Sequence, residues 1–243
     1  MSKLRVLDLF SGIGGFSLGL ERAGGFETVA FCEIEKYPRA VLANHWPNVP
    51  CYDDVRTLTA DRLAADGIAV DAICGGFPCQ DISVAGGGAG LEGERSGLWR
   101  EYARIIGEIR PRYVIVENVA ALLSRGLADV LRDLAALGYD AEWHCIPASA
   151  LGAPQSRDRV WIIANTAGEY EEQMLGPRSA SQLQSRDSAW ASWPRWLDKS
   201  FVCREANGFA GDLDRIKALG NAVVLQIPEL IGRAIMQAEG MTP

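Results

Sequence analysis

One unit near the start of the sequence constrains the fold more than any other feature. Leu4-Arg-Val-Leu-Asp-Leu-Phe10, short and rich in branched residues, runs directly into Gly12, Gly14 and Gly15. Phe16, Leu18, Leu20 and Ala23 follow at helical spacing. The unit reads strand, tight turn, helix, and the alternation recurs. The pattern predicts a strand near Glu27 to Glu33, a helix from Lys36 to Trp46, a helix near Thr59 to Ala65 and a buried strand from Val70 to Cys74. Beyond these it predicts a helix around Trp99 to Ile109, a strand from Tyr113 to Glu117, a helix from Gly126 to Leu137, and strands near Tyr139 to Cys145 and Val160 to Ala164. Repeated strand and helix with buried strands implies a doubly wound α/β sheet.

The alternation stops near Asn165. From Thr166 to about Asp212 the sequence is polar and aperiodic around Trp190, Trp193 and Trp196, and reads as a small irregular insert. Pattern returns with Leu213 to Leu219, Gly220-Asn221 and an apolar helix from about Val224 to Ala238. The expected organisation is a catalytic domain over 1–165, an insert over 166–212, and a segment 213–243 that rejoins the first domain. A chain of 243 residues suits one large domain with an appendage. At 48% apolar and 23% charged residues it is neither disordered, collagen-like nor a disulfide mini-protein.

No apolar run approaches the roughly 20 residues of a bilayer span, and Met1 to Arg5 leads straight into a strand without a signal-peptide core. A cytoplasmic protein with no membrane partner is expected. The net charge of −7 argues against nonspecific coating of nucleic acid, although it leaves room for a local basic cleft. Six cysteines form no C-x-x-C pair, and only His45 and His144 could join them, so no metal is expected.

Phe10-Ser-Gly12-Ile-Gly14-Gly15 sits where a dinucleotide fingerprint would, and Glu33 follows Gly12 by 21 residues, where an acid can hold both ribose hydroxyls of an adenosyl group. The sixth position from Gly12 is Ser17, so the pattern departs from G-x-G-x-x-G. S-adenosylmethionine (SAM), which has no pyrophosphate to cradle, fits this turn better than NAD. A tight βα turn that binds nothing remains the alternative at this point.

Cys79 follows the Val70 to Cys74 strand within Gly75-Gly-Phe-Pro-Cys79-Gln80, at the carboxyl end of a strand, where open α/β sheets bind their ligands. Gly86 to Gly97 is glycine-rich and could close over a bound base. Glu117-Asn118-Val119 closes the strand that begins at Tyr113 and should face the same crevice. Arg157 and Arg159 precede the next strand at i, i+2, which in an extended segment puts both on one side.

Taken in order, these motifs resemble the DNA (cytosine-5)-methyltransferase family. The likeness rests on Asp8-Leu-Phe10-Ser-Gly-Ile-Gly-Gly15, Glu33, Asp54, Gly76-Phe-Pro-Cys79-Gln80 and Arg95-Ser-Gly-Leu98, continuing through Glu117-Asn-Val119, Gln155-x-Arg157-x-Arg159 and Gly220-Asn-Ala-Val223. It implies a Rossmann-like SAM-dependent methyltransferase fold with a mixed sheet. It also implies methyl transfer from SAM to carbon 5 of a flipped-out cytosine in DNA, through a covalent bond from Cys79 to carbon 6. Glu117 would hold cytosine N3 and the exocyclic amine, Arg159 the O2 edge, and Arg157 would support them. Phe10, Gly12, Gly14, Glu33, Ile34, Asp54, Leu98 and Asn221 would form the SAM site.

In this family the interval filled here by 166–212 holds the target-recognition region. Its five basic and seven acidic residues build few base contacts, which implies a short or degenerate target. A restriction endonuclease acting on the same site is the companion the resemblance suggests, for an enzyme expected to be monomeric. A tRNA-methylating branch with the same motifs and a non-catalytic DNA-binding relative are the competing readings.

Overall fold

The computed structural model describes residues 2–78, 97–151, 157–166 and 223–241. Cys79, Gln80, Arg95, Asn221, most of the loop 86–97, all but the first residue of the insert and its three tryptophans lie outside the described residues. Seven strands and seven α-helices are described: β1 (Leu4–Leu9), α1 (Gly15–Arg22), β2 (Phe26–Cys32), α2 (Lys36–His45), β3 (Cys51–Tyr52), α3 (Ala60–Ala65) and β4 (Ala72–Gly75). They continue with α4 (Gly97–Ile109), β5 (Tyr113–Val119), α5 (Leu122–Arg125), α6 (Leu127–Ala136), β6 (Tyr139–Pro147), β7 (Asp158–Thr166) and α7 (Gln226–Ala238).

The sheet runs β3-β2-β1-β4-β5-β7-β6. β1 pairs in parallel with both β2 and β4, whereas β7 is antiparallel to β5 and β6, so the sheet is mixed. After β1 the chain winds outward through β2 and β3, then returns across β1 to β4. The reversal opens a crevice at the carboxyl ends of β1 and β4, the usual ligand position in such sheets.

Each face of the sheet buries its own core. Leu7, Leu9, Ile73, Val114 and Val116 meet α3, α4 and α6 through Leu63, Tyr102, Ile106, Val130 and Leu134. On the opposite face Val6, Ala72 and Ile115 meet Phe16 and Leu20 of α1 and Ile227, Ile231 and Ile235 of α7. At about 25 cal/mol per Å² of apolar surface, these two layers are the main stabilising contribution of the described residues. The last helix reaches α1 closely because both carry small residues at the contact: a Cβ on Gly232 would stand 2.8 Å from Ala23 Cβ.

Two elements fall outside the expected pattern. β3 holds only two residues, too few to display a period, and α5 is a single turn separated from α6 by Gly126. Glu117 also does not close its strand. β5 continues to Val119 because β7 extends the ladder beside it, with Glu117 opposite Trp161 and Val119 opposite Arg159.

Candidate active site

A cavity of about 370 Å³ occupies the crevice at the carboxyl ends of β1 and β4. Of the expected site residues, Phe10, Gly12, Glu33, Ile34, Asp54, Leu98, Glu117, Arg157 and Arg159 line it. Gly14 does not. It adopts a left-handed backbone (φ 84°) at the N-cap of α1, and a Cβ there would stand 2.6 Å from the Trp46 ring. Cys79 and Asn221 lie outside the described residues, and the described chain before Cys79 lines the cavity through Gly76, Phe77 and Pro78.

The end that fits an adenosyl group is built by the turn after β1 and the ends of β2 and β3. Phe10 takes a left-handed conformation (φ 53°), which costs a non-glycine residue about 1 kcal/mol. Stacking on Tyr102, with ring centroids 6.2 Å apart, helps to hold it there. Glu33 is only 8% exposed. Its two oxygens accept from the backbone N–H groups of Gly12 and Glu35, each at 2.8 Å. A carboxylate oxygen has further lone pairs, so both still have capacity for ribose hydroxyls. Ile34 beside it is 62% exposed, an apolar side chain left open at the cavity wall.

Asp54 accepts from the backbone N–H and the Nε of Arg56, and that guanidinium holds its carboxyl below the ordinary range. Arg104 of α4 fixes this loop by donating to the carbonyls of Val55 and Leu58, both at 2.9 Å. The same helix brings Leu98 to the cavity in its first turn.

The opposite end is acidic and basic at once. Arg159 Nε lies 2.8 Å from Glu117 Oε1, and both side chains are largely buried. Burial raises the Glu117 carboxyl above its ordinary value even though Arg159 and Arg157 pull it down. Arg157 is lowered by burial and by Arg159, against the pull of Glu117. Gly76 forms the floor under this pair: a Cβ would stand 2.7 Å from Glu117 Oε2. Such a carboxyl is shifted toward its protonated form while the Arg159 guanidinium fixes its orientation.

Asn118 is a functional position that sequence reasoning quoted but left without a role. It is 2% exposed, its Nδ2 donates to the Phe77 carbonyl at 3.1 Å, and its Oδ1 accepts from the Val119 N–H. Asn118 therefore ties β5 to the segment that leads to Cys79. Its position beside a candidate acid was the available signal. Among the described residues, no group of His, Cys, Asp and Glu is placed to hold a metal ion, and no helix is long and apolar enough to cross a membrane.

Residues 4–192 match the family described as C-5 cytosine-specific DNA methylase. Type II methyltransferase M2.BsuMI of Bacillus subtilis (strain 168) is 35% identical over 170 residues, covering 67% of this chain and 42% of the relative. Orphan methyltransferase M.Rho11sI of Bacillus phage rho11s is 35% identical over 170 residues, covering 67% of this chain and 33% of the relative. The match thus spans less than half the length of these curated relatives. Among solved structures, the S. pombe Dnmt2 methyltransferase resembles this fold with a TM-score of 0.56 at 22% identity, covering 75% of this chain and 54% of that one.

Proposed function

The chain belongs to the C-5 cytosine-specific DNA methylase family, and from that premise we propose that it is a DNA (cytosine-5-)-methyltransferase that uses SAM. The observation that carries this reading is the buried Glu117–Arg159 pair over Gly76, in one cavity with Glu33. The cavity suits the donor. Glu33 presents a buried carboxylate for the ribose, Asp54 a second acceptor for the adenine amino group, and Phe10, Ile34 and Leu98 apolar surface for the base. Gly12 leaves backbone room, Gly14 shapes the turn, and Asn221 completes the site.

A cytosine inside a duplex is out of reach, so the base is flipped before chemistry. Carbon 5 of cytosine is a weak nucleophile. The Cys79 thiolate adds at carbon 6, and the electron pair of the 5,6 double bond becomes available at carbon 5. Glu117 holds N3 and the exocyclic amine, and its raised carboxyl suits transfer of a proton to N3 as the thiolate adds. Arg159 binds the O2 edge and orients Glu117, with Arg157 supporting both. SAM, when bound, supplies an electrophilic methyl group on a sulfonium. Loss of the carbon 5 proton restores the ring and expels Cys79.

We assign residues 1–165 to catalysis, 166–212 to target recognition and 213–243 to a segment returning to the catalytic domain. The substrate is DNA, the companion a restriction endonuclease sharing the site, and the setting the cytoplasm of a cell in which the enzyme acts as a monomer. Duplex DNA carrying 5-fluorocytosine tests the chemistry, because fluorine blocks the final elimination. A SAM-dependent adduct mapped to Cys79 is expected, with bisulfite sequencing of treated DNA giving the target. An adduct at another cysteine, or methylation of tRNA alone, overturns the proposal.

A further inference from the structure

Glu117 has unequal neighbours on its two sides. After β4 the chain continues into Gly76, which presents no side chain and lies against Glu117 Oε2. On the other side its direct partner in the antiparallel β5–β7 ladder is Trp161. Side chains at such paired positions share a face of the sheet, with Cβ atoms about 4.5–5.5 Å apart. Arg159, two residues before Trp161, shares that face, as does Ile115, two residues before Glu117. The proposed acid therefore sits between a glycine and an indole.

Trp161 is buried, and its ring meets Phe16 of α1 edge-on, with centroids 5.3 Å apart. Phe16 also lines the cavity, so the indole lies between the helix that follows the glycine turn and the acid. The indole Nε1 is buried and donates to no acceptor among the described residues. An unpaired buried N–H is costly, and phenylalanine or leucine would avoid that cost. Core packing alone does not account for an indole here, whereas a broad, rigid wall beside Glu117 does. We propose that Trp161 is a positioning residue for Glu117, its indole closing the carboxyl off from water and bracing it toward Gly76 and Arg159. The inference rests on the reading of Glu117 as the acid that meets cytosine N3.

Exclusion of water is what raises the Glu117 carboxyl, against the pull of Arg159 and Arg157. On β6, beyond the indole, His144 stands opposite Trp161 with its Nε2 3.9 Å from Glu142 Oε2. Trimming the indole opens space beside a carboxyl and a guanidinium, polar enough to admit water. The carboxyl then moves down toward its ordinary range.

Carbon-13 NMR of the glutamate carboxyls in the full chain, with the Glu117 signal assigned through Glu117→Gln, reads its titration midpoint without any substrate. Trp161→Leu is expected to lower that midpoint by roughly one pH unit, and Trp161→Phe by less. The descending limb of the pH–rate profile on duplex DNA should move to lower pH in step. Turnover at neutral pH should fall about tenfold in Trp161→Leu while SAM affinity by calorimetry is largely retained. Should Trp161→Leu not fold, Trp161→Phe still has to show the lowered midpoint. His144→Gln should leave the midpoint in place, and a shift there as large as in Trp161→Leu assigns the effect to charge on β6 and overturns the proposal. An unmoved midpoint in the folded Trp161 variants also overturns it, even where turnover and melting temperature fall together, because that is the behaviour of a purely structural residue. Midpoints that move as expected in a chain that methylates no DNA keep Trp161 as the wall beside Glu117 and remove the methyltransferase reading instead.

Discussion

Arg159 and Glu117 meet diagonally across the β5–β7 ladder, Nε to Oε1 at 2.8 Å, in a part of the cavity where both side chains are largely buried. Two effects oppose each other on Glu117. Burial raises the carboxyl, the guanidiniums of Arg159 and Arg157 lower it, and burial prevails. Removing one partner of such a pair leaves the other charge uncompensated, which costs about 3–5 kcal/mol in a buried setting.

Arg159→Met should therefore raise the Glu117 carboxyl further. If the protonated carboxyl is the reacting form, activity falls as pH passes upward through its pKa, and that descending limb moves to higher pH in the variant. Turnover should also drop by roughly 10²-fold or more as the acid loses its orientation. The pH–rate profile on a DNA duplex is the check. An unmoved limb would show that Arg159 does not control Glu117.

Gly76 is tested independently of charge. A Cβ at this position would stand 2.7 Å from Glu117 Oε2, closer than real contacts allow. Gly76→Ala should displace the carboxyl and suppress methyl transfer strongly while the affinity for SAM changes little. Calorimetric titration with SAM alongside a turnover assay separates these outcomes, and equal loss of both would place Gly76 in the general integrity of the fold.

Glu33→Ala removes more than a ribose contact. The carboxylate also accepts from Gly12 and Glu35, so the turn after β1 and the chain after β2 lose a shared anchor. Each such bond to a charged acceptor contributes roughly 1.5–3 kcal/mol before solvent compensation. SAM affinity and melting temperature should fall together, with DNA affinity nearly unchanged. A variant with a lowered melting temperature and wild-type SAM affinity would confine Glu33 to a structural role.

The strand-turn-helix alternation and the acid 21 residues beyond Gly12 were legible because they are local: a period, a turn and a spacing. What escaped depended on contacts between distant segments. β3 is held by pairing Phe31 with Cys51 and cannot show a period in two residues. Asn118 matters through the Phe77 carbonyl, 41 residues away. Gly76 was legible only as one of the glycines before Cys79, whereas the fold places the Glu117 carboxylate against it. Gly14 read as part of the SAM site, and the fold packs Trp46 of the next helix end against it. Asp8 stood in an apolar run where nothing local distinguished an acid buried by two helices and a neighbouring strand from one at the surface.

That burial makes Asp8 a determinant of stability as a function of pH. Its carboxyl is raised from an ordinary 3.8 to about 7 in the folded chain. Between these values the folded state binds more protons than the unfolded state, so this group's contribution to stability falls as pH rises, and the loss is complete above the folded value. The full effect is on the order of 4 kcal/mol as an upper bound. Asp54, Asp71 and Glu108 are lowered and act in the opposite sense, but they are common to wild type and Asp8→Asn and cancel in the difference. Asp8→Asn cannot ionise at this position. Urea denaturation of both proteins across mildly acidic to mildly alkaline pH should show the variant gaining on wild type as pH rises, with the change centred on the acid side of neutrality. A difference that stays constant with pH would mean that Asp8 does not titrate in the folded chain.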